Sequence, residues 1–148
     1  MADGPHTEPR ILVDDRQSSP LPLEVLMTLA SATLLAEGLP ASELSLSFVS
    51  EEEIADLHER YMHEPGPTDV LSFPLDEDDV DEDGVRVLGD VVIAPSVAER
   101  NRPEDRDAEL RLLVVHGILH LLGHDHHEDD ERAAMWAKQE RYAGVRVP

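Results

Sequence analysis

The stretch "ELRLLVVHGILHLLGHDHH", residues 109 to 127, holds five of the protein's eight histidines. From Leu110 to Leu122 it is apolar nearly all round, the pattern of a helix buried on every side. His116 and His120 lie one helical turn apart, about 40° from one another around the axis. A buried imidazole without partners costs of order 1–3 kcal/mol, and two on one face can share a single partner, a metal ion. Gly123 ends the helix as a C′ glycine, and the turn after it lets His126 come back toward the same point. The spacing His116-x3-His120-x5-His126 therefore predicts three neutral nitrogens around one zinc ion per chain, with a fourth position open to water. Water on zinc has a pKa near 7, which brings hydroxide within reach at neutral pH. His124 and His127 fit the shared point less well and are expected to face solvent or to hydrogen-bond around the site. Asp125 either orients a ligand imidazole or caps the turn. The metzincin peptidases share this spacing, but they place a glutamate after the first histidine as general base. Here that position is Gly117, which has no side chain to move a proton.

The rest of the chain reads as the setting for this helix. A length of 148 residues fits one domain. Residues 1–9 read as a loose tail and 10–148 as the domain. "RILVDD" (10–15) is a short strand. Ser19 and Pro20 open a helix that carries Leu23, Leu26, Met27, Ala30 and Leu34 at helical spacing and stops at Gly38 and Pro40. "ELSLSFVS" (43–50) alternates like a half-buried strand. Ser50 and Glu53 form a capping box for the next helix, whose stripe is Ile54, Leu57 and Tyr61, ending at "PGP" (65–67). "TDVLSFP" (68–74) is a third strand, and "VRVLGDVVIAP" (85–95) is a fourth or two short ones. A short helix over "SVAERN", a long one from Glu104 to about Leu122 and a last one over 128–144 follow. The expected class is α+β: a four-stranded mixed sheet packed with about five helices, among them a metzincin-like zinc helix.

Composition narrows the partners. The net charge is −21 and Lys138 is the only lysine. Such a surface repels polyanions at long range, so it argues against nonspecific nucleic-acid binding. There is no cysteine, which excludes disulfides and thiolate metal sites. No apolar run reaches the roughly 20 residues of a membrane span, and "MADGPHTEPR" lacks the basic-then-apolar pattern of a signal peptide. A cytoplasmic, membrane-free protein is expected. In the acidic run 76–83, Asp79, Asp81, Asp83 and Gly84, with Asp90 in the closing position, imitate a calcium loop, but strand-like flanks favour a solvated connection. Asp69 and Asp90 either face a cleft or sit in strand-end turns.

Three segments together resemble one family. "HGILHLLGHDH" (116–126) resembles the histidine signature of the YbeY endoribonucleases, bacterial ribosomal-RNA maturation factors. "PTDVLSFP" (67–74) and "LGDVVIAP" (88–95) resemble the family's other two signatures, in the same order, and the likeness runs from about residue 10 to 142. It implies a zinc-dependent, single-strand-specific endoribonuclease acting in small-subunit (16S) rRNA maturation and ribosome quality control. The implied partners are single-stranded rRNA and the small ribosomal subunit with its proteins, with no DNA. Carried over, His116, His120 and His126 are the ligands, and Thr68, Asp69, Leu71, Ser72 and Phe73 line the substrate cleft. Many family members carry an arginine after the aromatic residue that precedes the Pro-Thr segment. Here Tyr61 is followed by Met62, and Glu64 fills the nearby basic position. Arg100 and Arg102 are the candidate substitutes, together with Asp125 as a low-ranking candidate for catalysis; Arg60 lies on another helical face. Two other function classes stand beside the nuclease. One is a ribosome-assembly binding factor with a mainly structural zinc, favoured by the missing arginine and the acidic surface. The other is a metallopeptidase, disfavoured by Gly117.

Overall fold

The computed structural model describes residues 8–76, 78–124 and 128–145. In chain order its elements are β1 (Arg10–Asp15), α1 (Leu23–Ala36), β2 (Ser42–Phe48), α2 (Glu51–Met62), β3 (Val70–Pro74), β4 (Arg86–Ile93), α3 (Pro95–Asn101), α4 (Arg106–Leu121) and α5 (Asp129–Ala143). The strands form one sheet ordered β1-β2-β4-β3. β1 pairs parallel with β2 and β2 with β4, while β3 lies antiparallel on the edge beside β4. The mixed four-stranded sheet with five helices is the α+β architecture expected from the sequence.

Alternation sorts the sheet into two faces. Leu44, Leu46 and Phe48 of β2 and Val91 and Ile93 of β4 pack against Leu26, Ala30 and Leu34 of α1 and Leu113, Val114 and Ile118 of α4. On the other face, Leu71 and Val92 meet Ile54 and Leu57 of α2 and Val97 of α3. α4 is enclosed from a second side as well, because Leu112, Val115 and Leu119 pack against Met135 and Ala143 of α5. That double burial is why its sequence is apolar around almost the whole circumference. Each fully buried Leu, Ile or Val contributes about 1.5–3 kcal/mol, and Leu110, Val114, Val115, Ile118 and Leu119 are all 0% exposed.

Several boundaries differ from the expectation for local reasons. α1 starts at Leu23, after Pro22, and not at Ser19. Ser19 belongs to a preceding turn, its N–H donating to Gln17 Oε1 at 2.9 Å. The capping box of α2 is half formed: Ser50 Oγ accepts from the Glu53 N–H at 3.1 Å, but the Glu53 carboxylate pairs with Arg16 at 2.6 Å. α2 stops at Met62, ahead of the PGP segment, because His63 takes a left-handed conformation (φ 57°) and its N–H caps Glu59 O. α4 starts at Arg106 and not at Glu104, capped by Asp105, which accepts from the Ala108 N–H at 3.1 Å. The alternative of two short strands over 85–95 reflects a bulge: Glu43 pairs with Val87 but Leu44 with Gly89. Gly89 has φ 130°, and a Cβ there would stand 2.2 Å from Phe73 O, so the bulge needs glycine. The calcium-loop likeness dissolves. Asp81 Oδ1 accepts from the N–H groups of Asp83 and Val85, while Asp90 sits within β4. Among the described residues no helix is long and apolar enough to cross a membrane.

Candidate functional site

One stripe of α4 borders an opening between β3 and α5. Glu109, Leu112, Leu113 and His116 on it line a cleft of about 160 Å³, closed by Asp69 and Val70 at the start of β3 and by Trp136 and Gln139 of α5. One turn further on, His120 brings its ring to 4.7 Å from that of His116, centroid to centroid, at 64°. Both histidines are half-buried. The Trp136 ring stands edge-on to His116 at 6.2 Å. His116 Nδ1 donates to Gln139 Oε1 at 2.8 Å. That bond places the proton on Nδ1 and the lone pair on Nε2, the form of imidazole that ligates a metal.

Of the three predicted ligands the structure brings His116 and His120 together. His126 lies outside the described residues, as do Asp125 and His127. Among the described residues no cluster of three or more His, Cys, Asp or Glu side chains is placed to hold a metal ion. The donor chemistry of the described pair suits zinc: two neutral imidazoles, one turn apart on a rigid helix, one with its second nitrogen already engaged.

His124 lies just past α4 and is engaged elsewhere. Its Nε2 hydrogen-bonds Glu37 Oε1 at 2.8 Å. Glu37 follows α1 directly and also accepts from Tyr142 at 2.6 Å and Lys138 at 2.9 Å, so the chain's one lysine is engaged here. Burial pushes this carboxyl up, but the hydrogen bonds from Tyr142, Lys138 and His124 more than reverse that and hold it at about 2.

The run 68–73 is divided between the two faces of the sheet. Thr68 is half-buried at the entry to β3. The Asp69 side chain lines the histidine cleft and accepts from Asn101 Nδ2 at 3.3 Å. Ser72 points to α4, where its hydroxyl donates to Gly117 O at 2.9 Å. Leu71 and Phe73 face α2 instead. Phe73 meets Tyr61 edge-on at 5.5 Å and lines a separate cavity of about 410 Å³ with Ser47, Asp90 and Val92. Asp90 is thus a mid-strand cavity residue, not a turn residue. The larger cavity is on the face away from the histidines, so volume alone does not locate the site.

Gly117 has a reason of its own. A Cβ at this position would stand 2.5 Å from Val91 Cγ1, so the glycine marks the close approach of α4 to the sheet. Of the two candidate cations, Arg100 pairs with Glu51 and holds that carboxyl below its usual range. Arg102 Nε pairs with Glu109 at 3.1 Å, both side chains mostly buried, which places it beside the histidine cleft. Met62 closes α2 and is exposed. Two residues escaped the sequence reading. Glu37 gives no local signal. Gln139 does: Met135, Gln139 and Ala143 are the buried residues of α5, at i, i+4, i+8, so a polar side chain stands in a core position.

The fold and the paired histidines define an α+β protein in which a buried histidine helix lies on a mixed sheet. Residues 10–144 match the family described as "Endoribonuclease YbeY". The chain belongs to that family. It is 49% identical over 112 residues to "Endoribonuclease YbeY" of Frankia alni, a match covering 69% of this chain and 62% of the relative. Its match to "Endoribonuclease YbeY" of Acidothermus cellulolyticus is 52% identical over 111 residues, 68% of each. The solution structure of TM1509 from Thermotoga maritima is similar in fold, with a TM-score of 0.63 at 34% identity, covering 91% of this chain and 86% of the other. The matched region spans less than two thirds of the Frankia alni protein.

Proposed function

We propose that the protein is a metal-dependent endoribonuclease that cuts single-stranded RNA in 16S rRNA maturation and ribosome quality control. Family membership supports the reaction class, and the observation that carries the site is the His116–His120 pair with its rings 4.7 Å apart on α4. His116, His120 and His126 would hold one zinc ion. Bound there, zinc supplies a Lewis acid for a phosphodiester oxygen and lowers the pKa of water. The protein's own part is to orient the imidazoles, to close one side of the cleft with Trp136, and to offer Asp69 and Arg102 beside it. A small-subunit partner would bring the RNA to an acidic surface.

One observation favours a second reading, a ribosome-assembly binding factor with a structural zinc: Arg100 and Arg102 are both paired with carboxylates. Cleavage of a single-stranded rRNA fragment separates the two. The nuclease reading expects chelator-sensitive cleavage, lost in His120→Ala together with the zinc. No cleavage at full zinc occupancy, with intact binding to the small subunit, supports the binding factor instead.

A further inference from the structure

Gln139 is 6% exposed and occupies the middle of the buried stripe of α5, between Met135 and Ala143. A leucine or methionine there would serve the packing of α5 on α4 as well, without the cost of burying an amide. What the amide adds is one contact: its Oε1 accepts from His116 Nδ1 at 2.8 Å. In a free neutral imidazole the proton favours Nε2. An acceptor fixed at Nδ1 reverses that preference and presents the Nε2 lone pair on the other side of the ring. The amide orients the imidazole through this single hydrogen bond.

The amide is useful only if α5 keeps its rotation about α4, and the structure supplies the clamp. Lys138, the residue before Gln139, and Tyr142, three residues after it, both bind the Glu37 carboxylate. His124, just past the end of α4, binds the same group. One carboxylate therefore ties the end of α1 to α5 and to the exit of α4. We infer that Gln139 is a positioning residue for metal ligation: it sets His116 as the Nδ1–H tautomer with its Nε2 lone pair on the side it shares with His120, and the Glu37 clamp keeps α5 in place for that task. The inference rests on the zinc reading above and adds to it a residue and a role.

The test has a readout independent of both metal and activity. Long-range proton–nitrogen correlation spectra of the metal-free full chain, recorded well above the ordinary histidine pKa of about 6.5, report which ring nitrogen of His116 carries the proton. The wild type is expected to show Nδ1–H, Gln139→Leu to revert to Nε2–H, and Gln139→Glu, which keeps the acceptor, to retain Nδ1–H. Zinc affinity, measured by chelator competition, is expected to fall about 10–100-fold in Gln139→Leu and to recover in Gln139→Glu. Gln139→Met, closer in length, replaces the leucine variant if that one does not fold. A folded leucine or methionine variant that binds zinc with wild-type affinity overturns the inference, as does Nε2–H in the wild type. Zinc that is not bound by the wild type, or is bound undiminished by His120→Ala, sinks the metal reading itself.

Discussion

Gly117→Ala sets two effects against each other, and the structure decides between them. In an ordinary helix interior, alanine gains about 1 kcal/mol over glycine. Here the added Cβ would stand 2.5 Å from Val91 Cγ1, 3.2 Å from Val91 Cγ2 and 3.3 Å from Val70 Cγ2, whereas carbon atoms pack best at about 3.5–4.0 Å. Val91 cannot move aside. It is fully buried, β-branched and rotamerically stiff, and it sits in β4, which has a paired strand on each side. The helix must therefore rise by on the order of 1 Å, which loosens Leu113, Val114 and Ile118 on the sheet. Overpacking of this kind costs about 1–3 kcal/mol. With a cost in the upper part of that range set against the propensity gain, the expected net loss is about 1–2 kcal/mol, or a few degrees in Tm. Urea unfolding followed by circular dichroism measures it, with the m-value expected to be unchanged. Val91→Ala removes both clashing methyls, so in that background Gly117→Ala should be at least about 1 kcal/mol less damaging. A wild-type background in which Gly117→Ala raises the midpoint would refute the close approach. The same geometry predicts that Gly117→Glu disrupts packing and adds no peptidase base, since the new side chain starts into the sheet.

The Glu37 clamp predicts an acid limb. Its folded pKa of about 2 lies below the ordinary 4.5, so its stabilisation is complete above about pH 4.5 and is lost as pH falls toward 2. The shift corresponds to at most about 3 kcal/mol. The wild-type-minus-Glu37→Gln difference in unfolding free energy should shrink as pH falls across that window, and a difference that does not change with pH would show that the clamp is not charged. Met62→Arg should raise cleavage of a single-stranded rRNA fragment at matched zinc occupancy, by up to about 10²–10³ if it supplies one good donor to the developing charge. Robust cleavage that Met62→Arg leaves unchanged would assign that role to Arg102.

The linear pattern already held the elements and their order, because period and turn chemistry are local: the alternation of β2 and the glycine after α4 are both visible in the chain. It also held the candidate ligands, since two histidines four apart share a helix face whatever surrounds them. What the sequence could not show was the direction taken by each side chain once the layers closed. The family resemblance put Thr68, Asp69, Leu71, Ser72 and Phe73 together along one cleft, but a strand sends alternate residues to opposite faces, so Ser72 braces Gly117 while Leu71 and Phe73 serve the far side. Gly117 read as a missing base; tertiary packing gives it a second meaning as the point where α4 touches Val91. Glu37 had no meaning at all in the chain, because its partners lie 87 to 105 residues away. Short-range spacing determines which groups share a face, and only the packing of α1, α4 and α5 on one another determines which of those groups meet.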